Sequence, residues 1–303
     1  MKFEYVLEGN NIKKKFRGFT LDVPQFHIPK GFATALIGEN GAGKTTLMNI
    51  LAGIRLDYKG ELTYFGQYHD KDREENPIVK EQYAYTGPGT YYLPQWTVGQ
   101  IRNLNQLLFE NFHEDRFEKL CERLAVGGEG NVSGKKVRSL SDGNKMKLMI
   151  ASALARDTKL LMMDEPASPL DPLMRDCLCS LIREYLAENE GENSVFFSTH
   201  NIADMENVTD YAIIMERGRI VEEGFVEDLK EKYVYVKGEP RDIEAARNVM
   251  FSMRESQYGF EGVCLAEKLD PLAGCDVSVE QATLSQISVA VMKQYSMIRE
   301  YER

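Results

Sequence analysis

The stretch "GENGAGKT", Gly38 to Thr45, fits the pattern G-x-x-x-x-G-K-[ST]. Its glycines let backbone N–H groups turn inward and form a nest for an anion. Lys44 would then reach the β- and γ-phosphates of a nucleotide, and the Thr45 hydroxyl offers a hard oxygen to Mg2+. The flanks supply the context this motif requires. "FATALIG", Phe32 to Gly38, is an apolar run long enough for a buried strand, and "LMNILAGI" after the loop has a helical pattern. Strand, glycine-rich turn, helix predicts an α/β fold.

Downstream, "LLMMDEP", Leu160 to Pro166, is a second buried strand ending in two acids. Carboxylates at the C-terminal end of a strand lie where doubly wound sheets bind ligands. Asp164 is the candidate Mg2+ ligand, and Glu165 the base that polarises an attacking water. "NSVFFSTH", Asn193 to His200, reads as a third buried strand, followed by a helix near Ile202–Val208. "YAIIMERGRIVEEG" reads as a hairpin about Arg217-Gly218. Helices are expected from about Thr97 to Ala125 and from Pro172 to Glu188. Upstream, "FEYVLEG", "FTLDVPQFHI" and "GELTYFGQY" read as strands. Residues 70–80, "DKDREENPIVK", predict a solvated loop. Buried strands alternating with helices imply a largely parallel sheet. After Lys230, "KYVYVKG" and "GVCLAEKL" read as strands with a helix at Asp242–Met253 between them, and the last stretch ends in a helix.

"LSDGNKMKL", Leu140 to Leu148, begins as a helix start: Ser141 suits an N-cap and Asp142 suits the positive end of the helix dipole. A helix N-terminus also binds phosphate, and the stretch alone leaves both readings open. Met146, Met149, Ile150 and Ala153 give the helix one apolar face.

The chain of 303 residues carries a formal charge of −10 and is 43% hydrophobic. Such acidity argues against nucleic acid as a partner, because phosphate backbones require clustered Lys and Arg. No apolar run is long enough to span a bilayer, and the acidic "MKFEYVLEGN" does not read as a signal peptide. Five cysteines without metal-ligand spacing read as reduced thiols of a cytoplasmic protein.

With the loop and the acid pair in order, the chain resembles the ATP-binding subunits of ABC transporters over roughly residues 1–225. "LSDGN" is similar to the family signature LSGGQ, "ASPLD" (Ala167–Asp171) to the loop that follows the acids at the dimer interface, and His200 to the switch histidine that senses the γ-phosphate. Phe16 stands where the family has an aromatic that stacks on adenine, and Phe19 competes for that place. The resemblance implies an α/β P-loop NTPase of the ABC-ATPase fold, with a RecA-like core, an antiparallel β subdomain and a helical signature subdomain at about 95–157. Residues 1–228 would form this domain and 229–303 a small C-terminal α+β extension. It implies an ATPase that uses ATP and Mg2+. Gly38, Asn40, Gly41, Ala42, Gly43, Lys44, Thr45 and Thr46 would cradle the phosphates, Thr45 and Asp164 the metal, and Glu165, His200 and Lys44 would be catalytic. In the family two subunits sandwich ATP head to tail, so Ser141, Gly143 and Asn144 would touch the γ-phosphate in trans. The expected partners are a second ATP-binding subunit, identical or a close paralogue, and a separate transmembrane permease holding the chain on the inner face of the membrane.

The pattern breaks in two places. The family has a Gln, sometimes Glu, before the helical subdomain; here "YAYTGPGTYYLPQWTV" puts Pro88 or Gly89 there, with Gln95 offset. Asp142 replaces the usual Gly of the signature. The aromatics of "TYYLPQW" would either face a permease or pack the subdomain. "LSDGNKMKL" is similar to the LSxGNKQKL form of bacterial ABC-2-type exporters, and "VEQATLSQI" (Val279–Ile287) to the end of such subunits, which favours export. The alternatives are a soluble ABC ATPase of translation or DNA repair, against which stand a single P-loop and no heptad run, and a regulatory or sensor ATPase with slow hydrolysis.

Overall fold

The computed structural model describes residues 4–295 apart from 89, 90, 129 and 131. Its centre is a six-stranded sheet in the order β10-β9-β3-β8-β7-β6. The strands are β3 (Ala33–Ile37), β6 (Tyr83–Thr86), β7 (Leu160–Asp164), β8 (Ser194–Thr199), β9 (Tyr211–Glu216) and β10 (Arg219–Phe225). All neighbours run parallel except β10, which closes a hairpin on β9. β3, β7, β8 and β9 are buried along their whole length, the pattern of a sheet covered on both faces.

The two faces pack into different cores. Ala35, Leu161, Met163, Val195 and Phe197 face a core shared with the helices α4 (Val98–Leu108), α5 (Glu114–Arg123), α6 (Asp142–Leu154) and α7 (Pro172–Ala187). Leu36, Leu160, Met162 and Phe196, one residue out of phase, face α1 (Lys44–Leu51) and a second sheet. That second sheet has the order β2-β1-β4-β5 and is antiparallel: β1 (Tyr5–Phe16), β2 (Phe19–Pro29), β4 (Lys59–Tyr64) and β5 (Tyr68–His69).

After α8 (Val226–Lys232) a third sheet follows, in the order β12-β13-β11-β14, from β11 (Tyr233–Gly238), β12 (Met250–Ser256), β13 (Gly259–Leu265) and β14 (Val277–Gln281). With α9 (Ile243–Arg247) it encloses a small core around Val236, Phe260 and Cys264. The last helix, α10 (Leu284–Tyr295), returns to the main body, where Leu284, Ile287, Ala290 and Val291 join the larger core.

Four expectations from the sequence need correction. Residues 70–80 are not a loop but two short helices, α2 (Asp70–Glu75) and α3 (Pro77–Glu81). The Asp72 carboxylate accepts from His69 N at 2.8 Å, the Asn76 side chain accepts from Ile78 N at 3.0 Å, and Pro77 opens α3. The helical stretch from 97 to 125 is broken into α4 and α5, because Phe112 pairs with Arg156 and His113 N donates to Ala155 O. Residues 202–208 form two 3₁₀ turns rather than one helix. The helix expected over 242–253 stops at Arg247, and Met250–Ser256 leaves as a strand to pair with β13; a helical count over these residues cannot see that partner.

Candidate active site

Residues 38–46 run from the end of β3 into α1. Gly43 caps α1 at φ 109°, and a Cβ there would sit 2.9 Å from the Phe19 ring, so both backbone and space require glycine. The loop is tied down by Ala42 N donating to Glu39 O and Gly218 N donating to Ala42 O. Above it lies an open cleft of about 240 Å³ lined by Phe19, Glu39, Asn40, Gly41, Gly43, Lys44, Thr45, Thr46 and Glu165. Gly38 and Ala42 support this loop without lining the cleft. The aromatic wall is Phe19; Phe16 lies farther out, 6.0 Å from it ring to ring, flanked by the cations of Lys14 and Arg55.

Lys44 is 5% exposed, and its ammonium donates to Gly38 O at 2.7 Å and Glu39 O at 3.2 Å. It also lies 3.2 Å from Glu165 Oε1. The other carboxylate oxygen of Glu165 pairs with His200 Nδ1 at 2.7 Å. Three residues spread over 156 positions of sequence thus meet around one carboxylate. Glu165 itself has φ 53°, a left-handed backbone that is rare and costly outside glycine and is held here by its surroundings.

Part of that hold is Ser198, which the sequence reading did not select. It is fully buried opposite Asp164 in the β7–β8 register. Its hydroxyl accepts from Glu165 N at 3.0 Å and donates to Asp164 Oδ1. One side chain fixes both acids. Its only sequence signal is its place two residues before His200 in a buried strand. Asp164 is itself buried, and desolvation holds its carboxyl above the usual range, partly offset by Ser198 and Thr45. Asp164 Oδ2 has no hydrogen-bond partner. A buried, orphaned carboxylate oxygen beside the Thr45 hydroxyl is a hard-oxygen donor set, which fits Mg2+.

Ser141, Gly143 and Asn144 do not line this cleft. Ser141 N-caps α6 and is exposed; its hydroxyl accepts from Asn144 N at 3.3 Å and Asn144 Nδ2 at 3.1 Å. Asn144 Oδ1 in turn accepts from Gly127 N. A Cβ on Gly143 would meet Pro169 O at 2.7 Å, so the loop after the acids presses on the start of α6. That loop is held by Arg175, which donates to Ala167 O and Leu170 O and pairs with Asp204 at 2.8 Å. Asp142 points away: it is 89% exposed and paired at 2.9 Å with Lys145, which holds its carboxyl below the usual range. Of the aromatics in 91–96, Tyr91 is exposed, whereas Tyr92 and Trp96 pack against the main core. Pro88 and Gln95 are exposed, and Gly89 lies outside the described residues. No described helix is long and apolar enough to cross a membrane.

Comparison with known proteins bears on the family and the fold. A family model described as ABC transporter matches residues 21–168. The bacitracin transport ATP-binding protein BcrA of Enterococcus faecalis is 30% identical over 264 residues, which cover 85% of this chain and 80% of that protein. The human ATP-binding cassette sub-family A member 6 is 29% identical over 219 residues, covering 69% of this chain; the chain spans 13% of that protein's length. A solved ATP-binding subunit of an ABC transporter superposes with a TM-score of 0.61 at 25% identity, over 74% of this chain and 92% of the other.

Proposed function

The chain belongs to the ABC transporter family of ATP-binding proteins, and on that premise we propose that it hydrolyses ATP as a closed dimer to drive a separate membrane exporter. The observation that carries this reading is the convergence of Lys44, Glu165 and His200 at the glycine-rich loop that lines the cleft. The exposed, capped N-terminus of α6 supports the dimer: it is a helix end suited to phosphate, and it does not line the cleft of its own chain. A second copy would bring it over the cleft.

Lys44 is shared between the loop carbonyls and Glu165. Phosphate oxygens would draw the ammonium to themselves and leave Glu165 to face the water. Glu165 then takes a proton from that water as its oxygen attacks the γ-phosphorus and ADP leaves, with His200 holding the carboxylate in place. Lys44, the loop amides and the partner's α6 end stabilise the charge spread over the transferring group. Thr45 and Asp164 would hold Mg2+, which when bound neutralises phosphate charge. Mg2+, the sandwich, the role of each residue and the direction of transport all belong to this proposal. Export is favoured by "LSDGNKMKL", by the tail motif and by the likeness to a bacitracin transport subunit.

Steady-state ATP turnover tests the site. Glu165→Gln should lower the rate by about 10²–10⁴-fold, the usual share of a general base, while ATP binding persists. Turnover equal to wild type would remove Glu165 from its role.

A further inference from the structure

Where the resemblance requires Gln, this chain has Pro88 or Gly89, neither with a side-chain amide; Pro88 and the offset Gln95 are exposed, and Gly89 lies outside the described residues. A pair of phenols stands there instead. β6 and β7 run in parallel register as far as Thr86 beside Met163, and Gly87 follows Thr86 at the strand end as Asp164 follows Met163. A Cβ on Gly87 would lie 2.6 Å from Tyr85 Oη and 2.7 Å from Tyr91 Oη. Both hydroxyls therefore crowd the strand end next to the buried carboxylate, and any side chain at Gly87 would displace them. Tyr85 Oη donates to Asn49 Oδ1 at 3.1 Å. Asn49 lies one turn after Thr45 on α1, so this bond ties the phenol pair to the helix that carries the phosphate loop. The Tyr91 ring lies 6.1 Å from that of Tyr85, and 56% of its surface is exposed. Burial and the nearby Asp164 charge raise both hydroxyls above the ordinary phenol value, so both are neutral at working pH.

We propose that the Tyr91 hydroxyl, positioned by Tyr85 and Asn49, is the polar group this chain presents to the metal-and-water side of bound ATP in place of the missing glutamine. The proposal rests on the ATPase reading above. A neutral phenol both donates and accepts, so it can orient a water or a hydrated cation as an amide does. It cannot act as the base, which leaves that role with Glu165.

The test uses full-length Glu165→Gln protein as parent and measures ATP affinity by calorimetry, in excess Mg2+ and in EDTA. Mg2+ should tighten binding in the parent. Tyr91→Phe should lose roughly tenfold of that tightening, the size of one hydrogen bond to a charged group, with affinity in EDTA unchanged. Tyr85→Phe, which frees Tyr91 from its anchor, should lose part of it. Full Mg2+-dependent tightening in Tyr91→Phe would overturn the proposal, and so would an equal loss in EDTA, which would mark Tyr91 as structural. A parent that binds no ATP under either condition would overturn the ATPase reading, and the tyrosine proposal with it.

Discussion

Glu165 and Asp164 are adjacent in sequence and opposite in environment. Glu165 reaches two partners, Lys44 and His200, at the edge of the cleft, whereas Asp164 is buried with one oxygen orphaned. The raised carboxyl of Asp164 has a consequence for stability. The folded protein holds that proton to higher pH than the unfolded chain does, whose value is near 3.8. Stability from this group is therefore complete below that pH and is lost as pH rises through the folded value, above which the cost of the buried charge is present. Asp164→Asn removes that cost. The variant should melt about 2–4 °C above wild type at pH 7 without nucleotide, the shift about 1 kcal/mol makes in a large domain, and the gain should shrink toward pH 4. MgATP should stabilise wild type in the same melts and leave the variant unmoved. Equal melting of the two at pH 7 would mean that the carboxylate is not strained. At this scale the sequence was legible where a motif is local: residues 38–46 and the acid pair announce themselves by spacing. Ser198 and the phenol pair did not, because each matters only through a neighbouring strand brought beside it by folding.

Two helix N-termini organise the element scale. α1 starts at the phosphate loop, and α6 starts at Ser141. The C-terminal end of α1 is closed by residues that read as solvated loop in the sequence: Arg73 is 1% exposed and donates to Ile50 O at 2.8 Å and Tyr64 Oη at 2.9 Å, while Tyr64 Oη donates to Leu51 O. A cation at the negative end of the helix seats α1 beneath its loop. A run of charges looks solvated unless the unpaired carbonyls it will meet are known. The strand β12 was hidden for the same reason, since its pairing partner lies beyond the window of any local pattern. For α6 the cap and the phosphate role can be separated. Ser141→Ala removes the cap acceptor and should cost about 1 kcal/mol of stability. Ser141→Asp keeps a cap acceptor and suits the helix dipole, so its melting temperature should match wild type. A carboxylate there would repel a partner's phosphate, and ATP-driven association should be lost. If Ser141→Asp associates as wild type does, the helix end is only a cap.

Across the whole molecule, the residues after Lys230 build a third, small sheet around a core of its own. The return of α10 to the main body was not legible, because its apolar face fits any core of suitable shape. The Glu206 carboxylate fixes that return: it accepts from Leu284 N at 2.8 Å and Ser285 N at 3.3 Å at the start of α10. Glu206 lies in the turns that follow His200, so the C-terminal unit is fastened close to that residue. The exposed start of α6 does not line the cleft of its own chain, and in the proposed function a second copy brings the two together. Gel filtration of Glu165→Gln protein with and without MgATP tests this most directly. A monomer without nucleotide and a dimer with it is the expected result. A protein that binds MgATP and still elutes as a monomer would contradict the sandwich, and with it the role given to Ser141.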